Sequence, residues 1–486
     1  MTDPKHRPAV NALKIALLLS GWAVAAWLGL RDWARPVVKT EVAPPPVVAP
    51  PEPPREGEIA RVFREWSANP EFAGALIGFG LLDENGETVF ASPLAATALC
   101  PASSLKTATT GAAFELLGPE FRFETQLAGT APLNAAGVLD GDLVLVGGGD
   151  PTLAREDLAA LADAAVAAGL KRVSGRLRTD TAIFPSDPTS EHWNWGDIGN
   201  GYGAGAYGLN VDHNRVDVRF EPGAQPGAPA KFLGDAPMPR DTRWQNHVLT
   251  GPAGRGDEVV VFSEPYGRTI TLRGTVPAGS GVFTVAGAIP DPPALAAELL
   301  RARLEKFGVR FADRRRPSAS AALSTLATHQ SAPLPEIIDH LHAVSDNLEA
   351  QCLFLTIGRR QGLAPADAVR QYWEKAGVQF VGLRLLDGSG LARANMIRPL
   401  DLAHISLAAR RGPHGQRYFE SLTAYAGGAV RAKVGGMSGV KTQVGFLRTK
   451  SGRELTFALM ANGLPSGGEF WTRMSELIET IRNTDL

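Results

Sequence analysis

Seven of the eleven residues from Pro44 to Pro54 are proline. Each proline fixes φ and removes a backbone donor, so neither a helix interior nor an inner sheet strand runs through this stretch, which is extended and stiff. The chain is thereby divided into two parts that fold separately. Ahead of the prolines, Lys5, Arg7 and Lys14 precede an apolar, uncharged run from Ile15 to Leu30, which reads as a signal peptide or as a single membrane anchor. Ala23-Val24-Ala25 offers a cleavage site, but Trp27 to Leu30 carries the apolar run past it, which favours an uncleaved anchor. Residues 1–40 are therefore assigned to a signal or anchor segment. Residues 41–56 are a proline-rich linker, a spacer that holds the remainder away from a membrane. Basic residues flank both ends of the run, so charge leaves its orientation open.

Beyond the linker, Ile59 to Trp66 has the spacing of a helix. Ala75 to Leu82 and Thr88 to Ala91, joined by Glu84-Asn85-Gly86, read as a hairpin. At the other end of the chain, Val440 to Phe446 and Leu455 to Met460 read as strands, and Phe470 to Ile481 as a helix. The terminal strands are expected to pair in one sheet covered by that helix. Between about 118 and 330 lies a Gly- and Pro-rich region of short strands, among them Leu143–Val146, Val216–Phe220, Val259–Phe262 and Thr269–Leu272, read as one or two inserted β-rich domains. Gly147-Gly148-Gly149-Asp150-Pro151 is read as a turn, and Trp193 and Trp195 as packing anchors.

Three short motifs carry chemistry. In Cys100-Pro101-Ala102-Ser103-Ser104-Leu105-Lys106-Thr107, Pro101 suits a first helical turn, and Ala108, Ala112, Ala113, Leu116 and Leu117 recur as an apolar stripe. Ser103 and Lys106 then share a face. An amine held there in a desolvated cleft can take the serine proton, so the pair is a candidate nucleophile and base. The second motif, Ser345-Asp346-Asn347, falls on the turn between a helix at Leu334–Leu341 and another through Leu348, Cys352 and Leu355. There Ser345 could relay a proton and Asn347 could hold a substrate carbonyl, while Asp346 or Asn347 equally suits a helix cap. For the third, Lys433-Val434-Gly435 competes with Lys441-Thr442-Gln443. Lys441 lies inside a return strand, whereas Lys433 is read as ending a strand before a Gly-rich turn, so the role falls to Lys433. A cation there can hold an anionic substrate, and Gly435 would let a substrate backbone approach the strand edge.

In this order, Ser103-x-x-Lys106, Ser345-Asp346-Asn347 and a late Lys-x-Gly strand resemble the penicillin-binding protein and serine β-lactamase superfamily. Gly147-Gly148-Gly149-Asp150-Pro151-Thr152-Leu153, Trp193-Asn194-Trp195, Tyr202-Gly203-Ala204, Leu209-Asn210-Val211-Asp212 and Asp387-Gly388-Ser389-Gly390-Leu391 narrow this. They resemble the class C low-molecular-mass penicillin-binding proteins, the D-alanyl-D-alanine carboxypeptidase/endopeptidase family. The resemblance runs from about residue 57 to the C-terminus. It implies an α/β (α+β) fold: a serine β-lactamase/D,D-peptidase-like transpeptidase domain, with an antiparallel sheet flanked by helices plus a helical subdomain. Residues 57–117 and 331–486 would form it, with the β-rich insert at 118–330. By the same resemblance, Ser103 is the acylated nucleophile and Lys106 its base. Ser345 and Asn347 supply the proton relay and amide contact, and Lys433 and Gly435 belong to the substrate-binding strand. The family has Thr where this chain has Val434, which removes a hydroxyl from the site for the substrate's terminal carboxylate.

The implied activity is a serine-type D-Ala-D-Ala carboxypeptidase/endopeptidase, a peptidoglycan hydrolase of the periplasm or another extracytoplasmic compartment, acylated by β-lactams. Val434 motivates a competing reading, a catalytically weakened penicillin-binding scaffold; a β-lactamase is the third, opposed by the large insert. The chain has 44 % apolar residues and a net charge of −1, enough for a large core and with no bias toward nucleic acid. Nine scattered His and two Cys form no recognisable metal cluster, so neither metal nor cofactor is expected. Cys100 and Cys352 lie near the first two motifs, and their pairing is left open, as is the oligomeric state.

Overall fold

The computed structural model describes residues 57–234, 236–279, 281–314, 323–465 and 468–484. The apolar run and the proline stretch thus lie outside the described residues, and among those described no helix is long and apolar enough to cross a membrane.

The two ends of the described chain build one six-stranded antiparallel sheet. Its order is Thr423–Tyr425, Val430–Met437, Val440–Arg448, Glu454–Asn462, Leu76–Leu82 and Thr88–Ala91. Leu76–Leu82 pairs along its whole length with Glu454–Asn462, as expected from the sequence. Both strands are apolar nearly throughout because both faces of the sheet are covered. On one face, Phe79, Leu81, Leu455, Phe457 and Leu459 pack with the helices Glu58–Ser67 and Phe470–Asn483. On the other, Leu82, Val444, Phe446, Ala458 and Met460 join a larger helical core.

That second core surrounds the helix Lys106–Leu117. Nine of its twelve residues, from Lys106 to Phe114, are buried. The expected single apolar stripe is therefore a helix enclosed on all sides, and its Thr107, Thr109 and Thr110 hydroxyls are satisfied by backbone carbonyls. A helix buried all round need not be amphipathic. The helices Leu334–Val344, Asn347–Gln361 and Pro399–Arg411 pack around it.

Residues between Leu127 and Ala327 form a separate hydrophobic core of their own. Around it lie one four-stranded sheet and three three-stranded sheets. The expected strands are present, Leu143–Val146 to the residue, and two helices, Arg155–Ala167 and Pro292–Lys306, pack on each other beside them. The sequence reading did not anticipate these helices. Their signals are local: alanine-rich composition, and Asp291 capping Ala294 N ahead of Pro292. The region leaves and re-enters the surrounding fold at one place, where Phe123 and Ser331 exchange hydrogen bonds and Leu334 N donates to Phe121 O.

Candidate active site

A one-turn 3-10 helix, Ala102–Leu105, presents Ser103, and the long helix then begins at Lys106. Ala102 holds φ +45, an unusual conformation for a residue with a Cβ. It is kept there by a close approach. A Cβ on Gly390, itself at φ +83, would sit 1.9 Å from Ala102 O, so only glycine lets the 387–391 loop lie against the nucleophile turn. Asp387 is buried at the centre of that loop. Its carboxylate accepts from the backbone N–H of Ser389, Gly390 and Ala392 and from Trp193 Nε1. The loop is thereby fixed with Ser389 O aimed at Lys106 Nζ, 2.8 Å away.

Lys106 is fully buried. Its Nζ lies 2.8 Å from Ser103 Oγ, 2.6 Å from Asn347 Oδ1 and 2.8 Å from Ser389 O. Burial, with the Lys433 cation adding to it, holds the amine well below the usual lysine range. A neutral amine has two N–H donors and one lone pair. Two carbonyl-type acceptors take the donors, leaving the lone pair for the Ser103 hydroxyl.

Ser345 caps the helix Leu334–Val344 in the left-handed conformation, φ +61, and Asp346 begins the next helix by accepting from Glu349 N. The capping reading of this triplet applies, with Asp346 as the cap, and the capped turn brings Ser345 and Asn347 to the cleft wall. Asn347 Nδ2 donates to Tyr202 O at 2.8 Å, which leaves its second N–H available. Lys433 Nζ donates to Ser345 Oγ and to Val434 O, both at 2.9 Å. Burial lowers this amine to about 8. Behind it, His342 is enclosed between Thr110 and Ser421 and held neutral, its basicity lowered to about 3 by burial and the nearby cations.

One expectation about the third motif requires correction. Lys433 does not end a strand: the strand runs on to Met437, with Gly435 opposite Thr442 and Gly436 opposite Lys441. Gly435 also faces the protein's own nucleophile turn. A Cβ there would lie 2.4 Å from Thr442 Oγ1, 2.6 Å from Ser104 N and 2.8 Å from Pro101 O. Its small size therefore lets the sheet seat the Ser103 turn, where Thr442 Oγ1 donates to Pro101 O. Val434 alternates outward and is 42 % exposed. Lys441, the rejected candidate, lies on the neighbouring strand Val440–Arg448 with its amine over the Trp471 ring. Cys100 and Cys352 are both buried free thiols.

Ser103, Ser345 and Asn347 open into a cleft of about 530 Å³, whose other walls include Asp197, Tyr202, Arg393 and the stretch Gly436–Ser438. A larger hollow, about 700 Å³ between the two terminal helices, is lined by no serine or lysine. Tyr202, Asp387 and Ser389 were not singled out individually by sequence reasoning, and Trp193 was read only as a packing anchor, although each lies in one of the strings that carried the resemblance. Their contributions are a backbone carbonyl, an indole N–H and a loop geometry, which residue type alone does not advertise.

Known proteins are similar to this chain over most of its length. The family model described as D-Ala-D-Ala carboxypeptidase 3 (S13) matches residues 62–483. A D-alanyl-D-alanine carboxypeptidase of Actinomadura sp. strain R39 is 31 % identical over 431 residues, 81 % of this chain and 79 % of that protein. The D-alanyl-D-alanine carboxypeptidase DacB of Haemophilus influenzae is 26 % identical over 437 residues, 84 % of this chain and 90 % of that one. The crystal structure of penicillin binding protein 4 (dacB) from Haemophilus influenzae superposes with a TM-score of 0.75 at 21 % identity, covering 88 % of this chain and all of that one. The chain belongs to the D-Ala-D-Ala carboxypeptidase 3 (S13) family.

Proposed function

We propose that this protein is a serine-type D-alanyl-D-alanine carboxypeptidase/endopeptidase that acts on peptidoglycan stem peptides through an acyl-enzyme at Ser103 and is acylated by β-lactams. The carrying observation is the buried Lys106 amine, 2.8 Å from Ser103 Oγ with its other two contacts on fixed oxygens. Lys106 takes the Ser103 proton as Oγ attacks the D-Ala carbonyl, and backbone N–H groups at the turn stabilise the oxyanion. Ser345, bonded to Lys433, gives its proton to the leaving amine and is reprotonated by the proton that Lys106 took from Ser103, which returns Lys106 to the neutral amine. The second N–H of Asn347 holds the substrate amide, and the Lys433 cation favours the substrate's carboxylate. Water then releases the acyl group.

The domain assignment belongs to the same proposal: residues 57–117 and 331–486 form the peptidase body and 118–330 the insert, a reading supported by the separate core at Leu127–Ala327. Residues 1–40 place the enzyme outside the cytoplasm, as a signal segment or as an inner-membrane anchor with 41–56 as its spacer. The relatives named D-alanyl-D-alanine carboxypeptidase support an extracytoplasmic site of action. Fluorescent penicillin labelling with mass spectrometry, alongside D-Ala release from a D-Ala-D-Ala peptide, tests the activity. One adduct on the Ser103 peptide, absent from Ser103→Ala, is expected together with D-Ala release. An adduct without release of D-Ala would favour the weakened scaffold that Val434 motivates, and an adduct that survives Ser103→Ala would remove the nucleophile assignment.

A further inference from the structure

Behind the Ser345–Asn347 turn, on the side away from the substrate cleft, three side chains from separate parts of the chain converge. His340 comes from the helix before the turn, Glu349 from the helix after it, and His213 from the 118–330 region. Their candidate ligand atoms all lie within 4.8 Å of one another. His340 Nδ1 is 2.8 Å from Glu349 Oε1, and His213 Nδ1 is 3.9 Å from the same oxygen.

Glu349 is wholly buried, yet its Oε2 has no hydrogen-bond partner, and neither has the buried His213 Nδ1. An unpaired carboxylate oxygen at that depth is expensive and calls for a counterpart. The neighbouring cation is already engaged, since Arg215 Nη2 lies 2.9 Å from Asp346 Oδ2. The backbone that aims His213 is itself unusual: Asp212, His213 and Asn214 hold φ of +52, +53 and +53. The buried Asn214 side chain fixes them by bonding Val211 N, Gly205 O and Asn210 Oδ1.

We propose that His213, His340 and Glu349 bind a divalent cation of the zinc class, which clamps the 118–330 region onto the turn that carries Ser345 and Asn347. Two imidazole nitrogens and one carboxylate oxygen are a three-protein-ligand zinc set with a fourth position open to water, whereas calcium and magnesium prefer all-oxygen sites. The side chains of His213 and His340 keep 31 % and 48 % exposure, giving the ion a path from solvent. The ion touches no reacting atom, so its role is to position the turn. Sequence reading expected no metal because His213 is far along the chain from His340 and Glu349, and the three form no ligand-spacing motif.

The test is titration of the chelator-stripped, full-length protein with Zn²⁺ by calorimetry, with Co²⁺ absorption as a second readout of the ligand geometry and thermal unfolding as a third. One saturable Zn²⁺ per chain is expected, with a rise in Tm on binding. His340→Ala, on an exposed helix face, and Glu349→Gln, nearly isosteric, should each weaken Zn²⁺ binding by at least about a hundredfold. His213→Asn, which tolerates the left-handed backbone, should do the same. His247→Ala, an exposed histidine elsewhere in the same region, should leave binding unchanged. Absence of saturable binding to the wild-type protein, or wild-type affinity in folded His340→Ala and Glu349→Gln proteins, would overturn the proposal.

Discussion

The two active-site lysines are buried and 2.8–2.9 Å from different serines, yet they need opposite charge states. In the proposed mechanism Lys106 acts only when neutral; its lowered pKa extends that state toward neutral pH, and protonation at still lower pH removes the base. Lys433 acts as a cation, and its pKa of about 8 means the charge is lost as pH rises through that value. The kcat/KM for penicillin acylation is therefore expected to rise from acid pH and fall again through about 8. A profile that stays level well above about 8 would show that the Lys433 charge is not used. Lys433→Ala should lower acylation efficiency at least roughly tenfold, about 1.4 kcal/mol, while Lys441→Ala, whose ammonium rests on Trp471 away from the cleft, should change it little. Val434→Thr restores the family hydroxyl at an outward-facing position. A hydrogen bond to a charged group contributes about 1.5–3 kcal/mol, so hydrolysis of peptides ending in a free carboxylate should increase by about an order of magnitude or more. Unchanged carboxypeptidase activity in a penicillin-reactive Val434→Thr protein would mean the site does not rely on that hydroxyl.

Elements meet at this site through glycines. The strand Val430–Met437 and the loop at Gly390 both press on the Ala102–Leu105 turn, and each contact closes only without a Cβ. Gly390→Ala combines a left-handed φ with a clash against Ala102 O and should cost at least about 1–3 kcal/mol. Gly435→Ala should cost a similar amount, by pushing the strand off Ser104. Denaturant unfolding measures the loss, and penicillin labelling of the folded fraction should fall in both variants; full labelling would show that the turn tolerates the displacement. These contacts also mark where the sequence stopped being informative. The terminal hairpin, the last two strands and the last helix were legible because their apolar periodicity and turn residues are local. Ser103, Lys106, Ser345, Asn347 and Lys433 were recoverable because their order matches a motif set, and the structure brings the five together. Gly435 was read only as opening the strand edge to a substrate backbone, because a strand glycine permits close approach of any backbone, and only the fold specifies that the protein's own nucleophile turn lies against it. The enclosed helix was read as one-sided because the helices that cover its other sides come from distant parts of the chain, and because Thr109 bonds to the distant Gly388 O while Thr107 and Thr110 bond to carbonyls one turn back.

At the scale of the molecule, the 118–330 region is joined to the peptidase body at one place but does not act as a detachable appendage. Its Tyr202 carbonyl accepts from Asn347 Nδ2, its Trp193 Nε1 donates to Asp387, and its Arg215 pairs with Asp346. Each contact lands on a residue that shapes the surroundings of Lys106 or on its immediate neighbour. Because Phe121–Phe123 and Ser331–Leu334 lie side by side, a short flexible linker can replace residues 124–330 without stretching the body; the six-stranded sheet and the helices that cover it keep their residues, while the helical core loses Phe184 and Ala206. Such a protein should fold, as judged by a cooperative thermal transition, but acylate far more slowly than the intact chain. Asn347 would lose one of its two fixed contacts, and the buried Asp387 carboxylate would lose a donor, a loss that costs about 1–3 kcal/mol or more for a charged group. Trp193→Phe in the full chain isolates the second effect and should reduce acylation while leaving the 118–330 core intact. Acylation at the wild-type rate by a folded protein lacking 124–330 would show that the body alone sets the catalytic geometry. The three contacts would then be packing between domains rather than part of the site.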